Sequence, residues 1–298
     1  MNAMRKPRIG LALGSGSARG WAHVGVIRAL EQAGLRPDLV CGTSVGALVG
    51  AAYASGELDR FEQWLLSLRW KDVVAFMDIS FNGGMLKGER LMEFLRRNFS
   101  DRPVESLPLP FGAVATALRS GAEVWLREGS TVDAVRASIA LPAVFPPVLR
   151  DSRLLVDGGL VNPVPVSLAR AMGADLVIAV DLSADVLGHH IRDDDMTPAA
   201  GGWWRRMQDS LGAIMPGQGG EGPRMPSMFD VIASSINVMQ VRIARSRLAG
   251  EPPDAMVSPR LADLGLFDFH RAEEAIAEGR RATEAALPAL RDLIERGF

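Results

Sequence analysis

The chain has 298 residues, 48 % hydrophobic and 23 % charged, an ordinary globular composition with length for one large α/β domain or two small ones. A net charge of −2 argues against nucleic acid as the main partner and gives no global attraction to anionic lipid. The single cysteine, Cys41, excludes an internal disulfide, and no run approaches the ~18 apolar residues of a membrane span. The expectation is a cytoplasmic protein whose membrane contact, where there is any, is peripheral.

After a basic start, Ile9–Leu13 reads as a buried strand, too short for a signal peptide. The loop Gly14–Gly20 leads into a helix from Trp21 to Ala33, closed by Gly34. Leu39–Gly42 is the second strand, and helices are expected at Val45–Ala54, Leu58–Leu68 and Glu89–Asn98, with the loop 82–88 before the last. Phe111–Ala117 and Glu123–Arg127 are strands around a Ser120-Gly121 turn. Val132–Ile139 is a short helix that runs into the Pro-rich loop Leu141–Pro147. Arg153–Val156 is a strand stopped by Asp157-Gly158-Gly159, Leu168–Met172 is helical, and Leu176–Val180 is a buried strand.

From residue 183 to 228 the chain turns to Gly, Pro, Met and clustered charge, which reads as a mobile excursion rather than a domain. Within it, Trp203-Trp204-Arg205-Arg206 suits a lid at a headgroup boundary as well as an exposed loop or an oligomer contact. His189-His190 beside Asp193–Asp195 reads as solvated loop, so no metal is assigned. Helix returns at Phe229–Leu248, with Val231, Ile232, Ile236, Met239 and Ile243 near one face, for packing, homo-oligomer formation or membrane docking. Ala255–Val257 is a last strand, and His270–Phe298 is an amphipathic helix interrupted near Pro288. Strands alternating with helices predict a three-layer α/β/α fold around a mostly parallel sheet.

The chemistry concentrates at three strand ends. Gly42-Thr43-Ser44-Val45-Gly46 is a Gly-x-Ser-x-Gly pattern between strand and helix, the setting in which a sharp turn exposes a nucleophilic serine. By itself the pattern also fits an idle strand–helix connection. The Gly14–Gly20 loop resembles a phosphate cradle but fits neither nucleotide fingerprint, since Ala18-Arg19-Gly20-Trp21 stands where Gly-Lys-Ser/Thr would be needed. Its backbone N–H groups suit an oxyanion instead. The third strand end carries Asp157, either a turn residue or the base for Ser44. Histidine is poorly placed for that task. His23 lies behind the Gly-rich loop, His189 and His190 in the excursion, and His270 at the start of the last helix. In a parallel sheet all three strand ends share one edge.

Four ordered blocks, Leu11–Gly20, Gly42–Gly46, Ala137–Val148 and Leu155–Pro163, make the chain resemble a small single-domain bacterial patatin-like phospholipase. The likeness spans about residues 8–182 and continues faintly through Phe229–Pro253 and Phe267–Thr283, so the terminal helices, 229–298, are expected to pack on the same domain. The resemblance implies a Ser-Asp dyad without histidine, with Ser44 as nucleophile and Asp157 as base. It implies an oxyanion hole at Gly14, Gly16 and Ser17, with Arg19 as the loop's basic residue, an elbow at Gly42 and Gly46, and a tight turn at Gly158 and Gly159. It implies hydrolysis of phospholipids or other lipid acyl esters through an acyl-enzyme, with no cofactor and no metal. One departure stands out: Ser15 and Ser17 interrupt a loop that is often all glycine in the family, and a serine forced to φ > 0 is strained. The alternative reading is therefore a regulatory or lipid-binding protein that keeps the pocket and turns over little.

Overall fold

The structure is a computed structural model that describes residues 6–69, 71–72, 93, 96–97, 101–142, 144–185 and 228–296. Its strands are β1 (Ile9–Leu13), β2 (Leu39–Thr43), β3 (Phe111–Ala117), β4 (Glu123–Leu126), β5 (Val148–Arg150), β6 (Arg153–Asp157), β7 (Leu176–Val180) and β8 (Ala255–Val257). They are hydrogen-bonded into one sheet along the path β5-β6-β3-β2-β1-β7-β8, with β4 also on β3. The helices are α1 (Ala22–Gln32), α2 (Val45–Ala54), α3 (Leu58–Ser67), α4 (Thr131–Ser138), α5 (Val166–Ala171), α6 (Met228–Gly250) and α7 (Ala272–Arg296).

β1, β2, β3 and β7 are buried along their whole length, as expected of parallel strands covered on both faces. On one face Leu11, Leu13 and Ile178 pack with α1, α2 and α7 residues such as Ile27, Val49 and Ile276. On the other, Ala12, Cys41 and Ala179 pack with Leu168 and Ala169 of α5 and Ala244 of α6. The alternation of side chains along each strand thus produces the three layers.

The sheet is mixed. β3-β2-β1-β7-β8 are parallel, whereas β4 and β6 run antiparallel to β3, and β5 pairs antiparallel with β6. Asp157 therefore does not reach the site as the C-terminal end of a parallel strand. β5 was not expected, because its three residues are too few to show a period. The last helix continues through Pro288 rather than breaking there. A proline removes one N–H, but α7 is held on α1 through buried Ala275 and Ile276, and Leu290 beyond the proline is 2 % exposed. Of the helix expected at Glu89–Asn98, the described residues Glu93, Arg96 and Arg97 are helical. The loop 82–88 and nearly all of the excursion, including His189, His190 and Trp203–Arg206, lie outside the described residues.

Candidate active site

Between β2 and α2 the chain turns at Ser44 with φ 57° and ψ −124°, a conformation that L-residues rarely take. Two glycines make the turn possible by close approach. A Cβ on Gly42 would lie 2.2 Å from the Gly46 carbonyl oxygen, and one on Gly46 would lie 2.2 Å from that of Leu13. The strained turn is held from outside. The Ser44 N–H donates to Ser138 Oγ at 2.9 Å, and Ser138 Oγ donates in turn to the Val114 carbonyl at 2.6 Å. Thr43 Oγ1 donates to the Asn162 carbonyl at 2.8 Å.

Asp157 arrives by an unexpected route. β4 covers Ala113–Thr116 on one edge of β3, so β2, opposite Phe111–Val114, and β6, opposite Ala115–Ala117, must share the other edge. They meet head to head there. Thr43 pairs with Val114 and Asp157 with the next residue, Ala115. The antiparallel strand thus delivers its C-terminal carboxylate to the C-terminal end of a parallel one. Ser44 Oγ donates to Asp157 Oδ2 at 2.6 Å, and the Gly159 N–H donates to Oδ1 at 2.7 Å. Asp157 is 1 % exposed. Burial pushes its carboxyl up to about 6, partly opposed by the Ser44 and Gly159 hydrogen bonds, which favour the charged form.

The Gly-rich loop lies between β1 and a 3₁₀ turn, Ser17–Trp21, that opens α1. Gly14 N–H donates to the Val180 carbonyl and Ser15 N–H to that of Pro163, tying the loop to β7 and to the segment after Asp157. The N–H groups of Gly16 and Ser17 find no acceptor among the described residues, and both residues line the cavity in front of Ser44. Ser17 does take φ 53°. Its hydroxyl donates to the Leu266 carbonyl at 2.5 Å and fixes it there. Arg19 is buried and turns the other way, with Nε donating to the Leu264 carbonyl at 2.9 Å. Ala18 N–H donates to Leu266 O and Trp21 Nε1 to Phe269 O. His23 Nε2 donates to Gly14 O at 2.8 Å, and burial lowers the imidazole to about 4, so it stays neutral behind the loop.

Sequence reasoning missed two features. One is Ser138, legible only as part of a motif block. The other is the segment 264–269, whose carbonyls hold the Gly-rich loop although no turn or period marks it. A cavity of about 140 Å³ opens between these parts. Trp21, Leu48, Leu68, Ile139 and Phe145 give it an apolar wall, while Ser17, Ser44, Asp157, Asn237 and Gln240 are its polar lining. Neither His23 nor His270 is among the described residues that line it.

Comparison with known proteins shows what the chain is similar to. The family model for patatin-like phospholipase matches residues 11–170. An uncharacterized NTE family protein of Mycobacterium tuberculosis is 34 % identical, over 95 % of this chain and 92 % of its own length. The human patatin-like phospholipase domain-containing protein 6 is 37 % identical over 205 residues, 66 % of this chain and 14 % of that protein. Among solved structures, VipD from Legionella pneumophila aligns with TM-score 0.50 and 15 % identity over 98 % of this chain and 67 % of its own, a likeness of fold.

Proposed function

Because the chain belongs to the patatin-like phospholipase family, we propose that it hydrolyses acyl esters of lipids with Ser44 as nucleophile and Asp157 as its base. The observation that carries this reading is the 2.6 Å hydrogen bond from Ser44 Oγ to Asp157 Oδ2 at an apolar cavity. In the proposed reaction, Ser44 Oγ attacks the ester carbonyl while its proton passes to Asp157 Oδ2. The developing oxyanion faces the Gly16 and Ser17 N–H groups and the Val45 N–H at the start of α2. Collapse expels the alcohol, which takes the proton from Asp157. Water then attacks the acyl-enzyme with Asp157 again as base, and Ser44 recovers its proton. The acyl chain lies along Trp21, Leu48 and Phe145.

Several features support the roles. The strained Ser44 backbone presents Oγ to the cavity. The carboxyl's raised pKa makes Asp157 a stronger base than an exposed aspartate. Among the described residues no helix is long and apolar enough to cross a membrane, so contact with lipid is proposed as peripheral.

A fluorophosphonate probe is expected to label Ser44 and to leave Ser44→Ala unlabelled. Ser44→Ala should retain the fold by circular dichroism and lose turnover of a short-chain nitrophenyl ester and of phospholipid. Folded wild type that takes no probe favours a lipid-binding protein with an idle pocket, the reading that the left-handed Ser17 would motivate. His270→Ala should keep its activity, and a loss equal to that of Ser44→Ala would point to an ordinary triad.

A further inference from the structure

α6 shows two unlike faces. Ala233, Ile236, Asn237 and Gln240 line the cavity. Away from it, Val231, Ile232, Val238 and Met239 are between 37 % and 50 % exposed. Helical spacing places these four on one side, and the same side continues one to two turns later with exposed Arg242 and Arg245. From Val231 to Gly250 the helix has no acidic residue. Its third arginine, Arg247, is engaged inward, 3.1 Å from Glu123 Oε2. The outward face therefore grades from apolar to basic along roughly 21 Å of axis, in a chain whose net charge is −2.

We infer that this face docks on an anionic lipid surface. The four apolar side chains enter the acyl boundary, and Arg242 and Arg245 meet phosphates at headgroup level. Charge decides between occupants. A second copy seated helix on helix would offer the arginines no carboxylate from residues 231–250, whereas an anionic bilayer offers net negative charge over its whole surface. Docking by α6 sets against the bilayer the outer side of a helix whose inner side lines the cavity, which brings Ser44 near its lipid substrate. That last consequence rests on the hydrolase reading above, while the docking does not.

The test is flotation of the full chain with vesicles of phosphatidylcholine alone or mixed with phosphatidylglycerol. Wild type should bind the mixed vesicles preferentially and lose that preference at high salt. Val238→Glu with Met239→Glu should cut binding about tenfold or more. Arg242→Ala and Arg245→Ala should each cost about fivefold on the mixed vesicles only. The Val238→Glu, Met239→Glu double variant and the two arginine variants should turn over a soluble nitrophenyl ester at the wild-type rate, which shows that they are folded. Wild type that ignores the mixed vesicles overturns the inference, as do variants that bind them unchanged. So does a dimer, seen by analytical ultracentrifugation, that Val238→Glu with Met239→Glu dissociates. Vesicle binding by a wild type that hydrolyses neither ester nor lipid upholds the docking face and sinks the hydrolase reading alone.

Discussion

Asp157 and His23 are both buried titratable groups, and burial moves them in opposite directions because it penalises whichever form is charged. Asp157 rises from 3.8 to about 6, and His23 falls from 6.5 to about 4. Only ionised Asp157 can take the Ser44 proton, so kcat/KM is expected to rise with pH through about 6 and then level off. The carboxyl's effect on stability has the opposite slope. The native state keeps the Asp157 proton longer than the unfolded chain does, so stability falls as pH rises from about 4 to 6, by roughly 3 kcal/mol in all. His23 works against it, since protonation of the unfolded chain below 6.5 removes stability as pH falls toward 4. The two oppose each other in the wild type, so the informative quantity is a difference. Asp157→Asn should be inactive yet gain stability over wild type on going from pH 4 to pH 7, measured by urea unfolding. Ser138 belongs to the same scale. Ser138→Ala leaves the Ser44 N–H without its acceptor, at a cost of about 1–3 kcal/mol. Spent on the elbow's geometry, that cost lowers kcat roughly 5- to 150-fold with little change in KM. The same loosening weakens the Ser44–Asp157 hydrogen bond, which lowers the carboxyl's pKa, so the acid limb should move upward. A variant with lower kcat but an unmoved limb would assign Ser138 to packing alone.

Among the elements, the pair α1 and α7 decides how firmly the Gly-rich loop is held. The helices cross close enough that a Cβ on Gly25 would lie 1.9 Å from the Ile276 carbonyl oxygen, and one on Gly279 would lie 2.0 Å from that of Ala22. Backbone atoms cannot step aside as a side chain can. Gly25→Ala and Gly279→Ala should each destabilise by about 1–3 kcal/mol of overpacking, beyond the ~1 kcal/mol that alanine's helix propensity returns. Gly250→Ala is the control, since nothing lies within 4 Å of its Cβ position, and it should be neutral or stabilising in the same denaturation series. The 3₁₀ turn carrying Ser17 runs directly into α1, so the two destabilised variants should also lose activity. Element type was largely legible in the sequence, because β1, β2, β3 and β7 are continuous apolar runs and Val45–Ala54 starts directly after the serine turn. The face of α6 was not. Ile236 lines the cavity while Val231, Ile232 and Met239 lie exposed, so the five apolar positions expected on one face are divided. A helix with apolar residues on both sides gives a weak period, and only its neighbours show which side is covered.

At the scale of the molecule, the region matched by the family model does not contain everything that shapes the cavity. Residues 11–170 lack β7 and β8, the Leu264 and Leu266 carbonyls that hold the Gly-rich loop, and α7, which covers α1. A fragment of residues 8–182 is therefore expected to lose cooperative unfolding and to fail to react with a fluorophosphonate. A fragment that melts cooperatively and labels at Ser44 would show that the terminal helices are an accessory. Sequence by itself determined the alternation of strands and helices and the sharp turn at Ser44, which are local patterns set by turn chemistry and side-chain period. The resemblance of four ordered motif blocks implied the family and the pairing of Ser44 with Asp157. Tertiary structure alone decided that Asp157 meets Ser44 from an antiparallel strand, that Ser138 holds the elbow from 94 residues away, and that Leu266 braces Ser17 from 249 residues away. Hydrogen bonds across such separations leave no period in the chain, because they depend on where the sheet order and helix packing bring two backbones together.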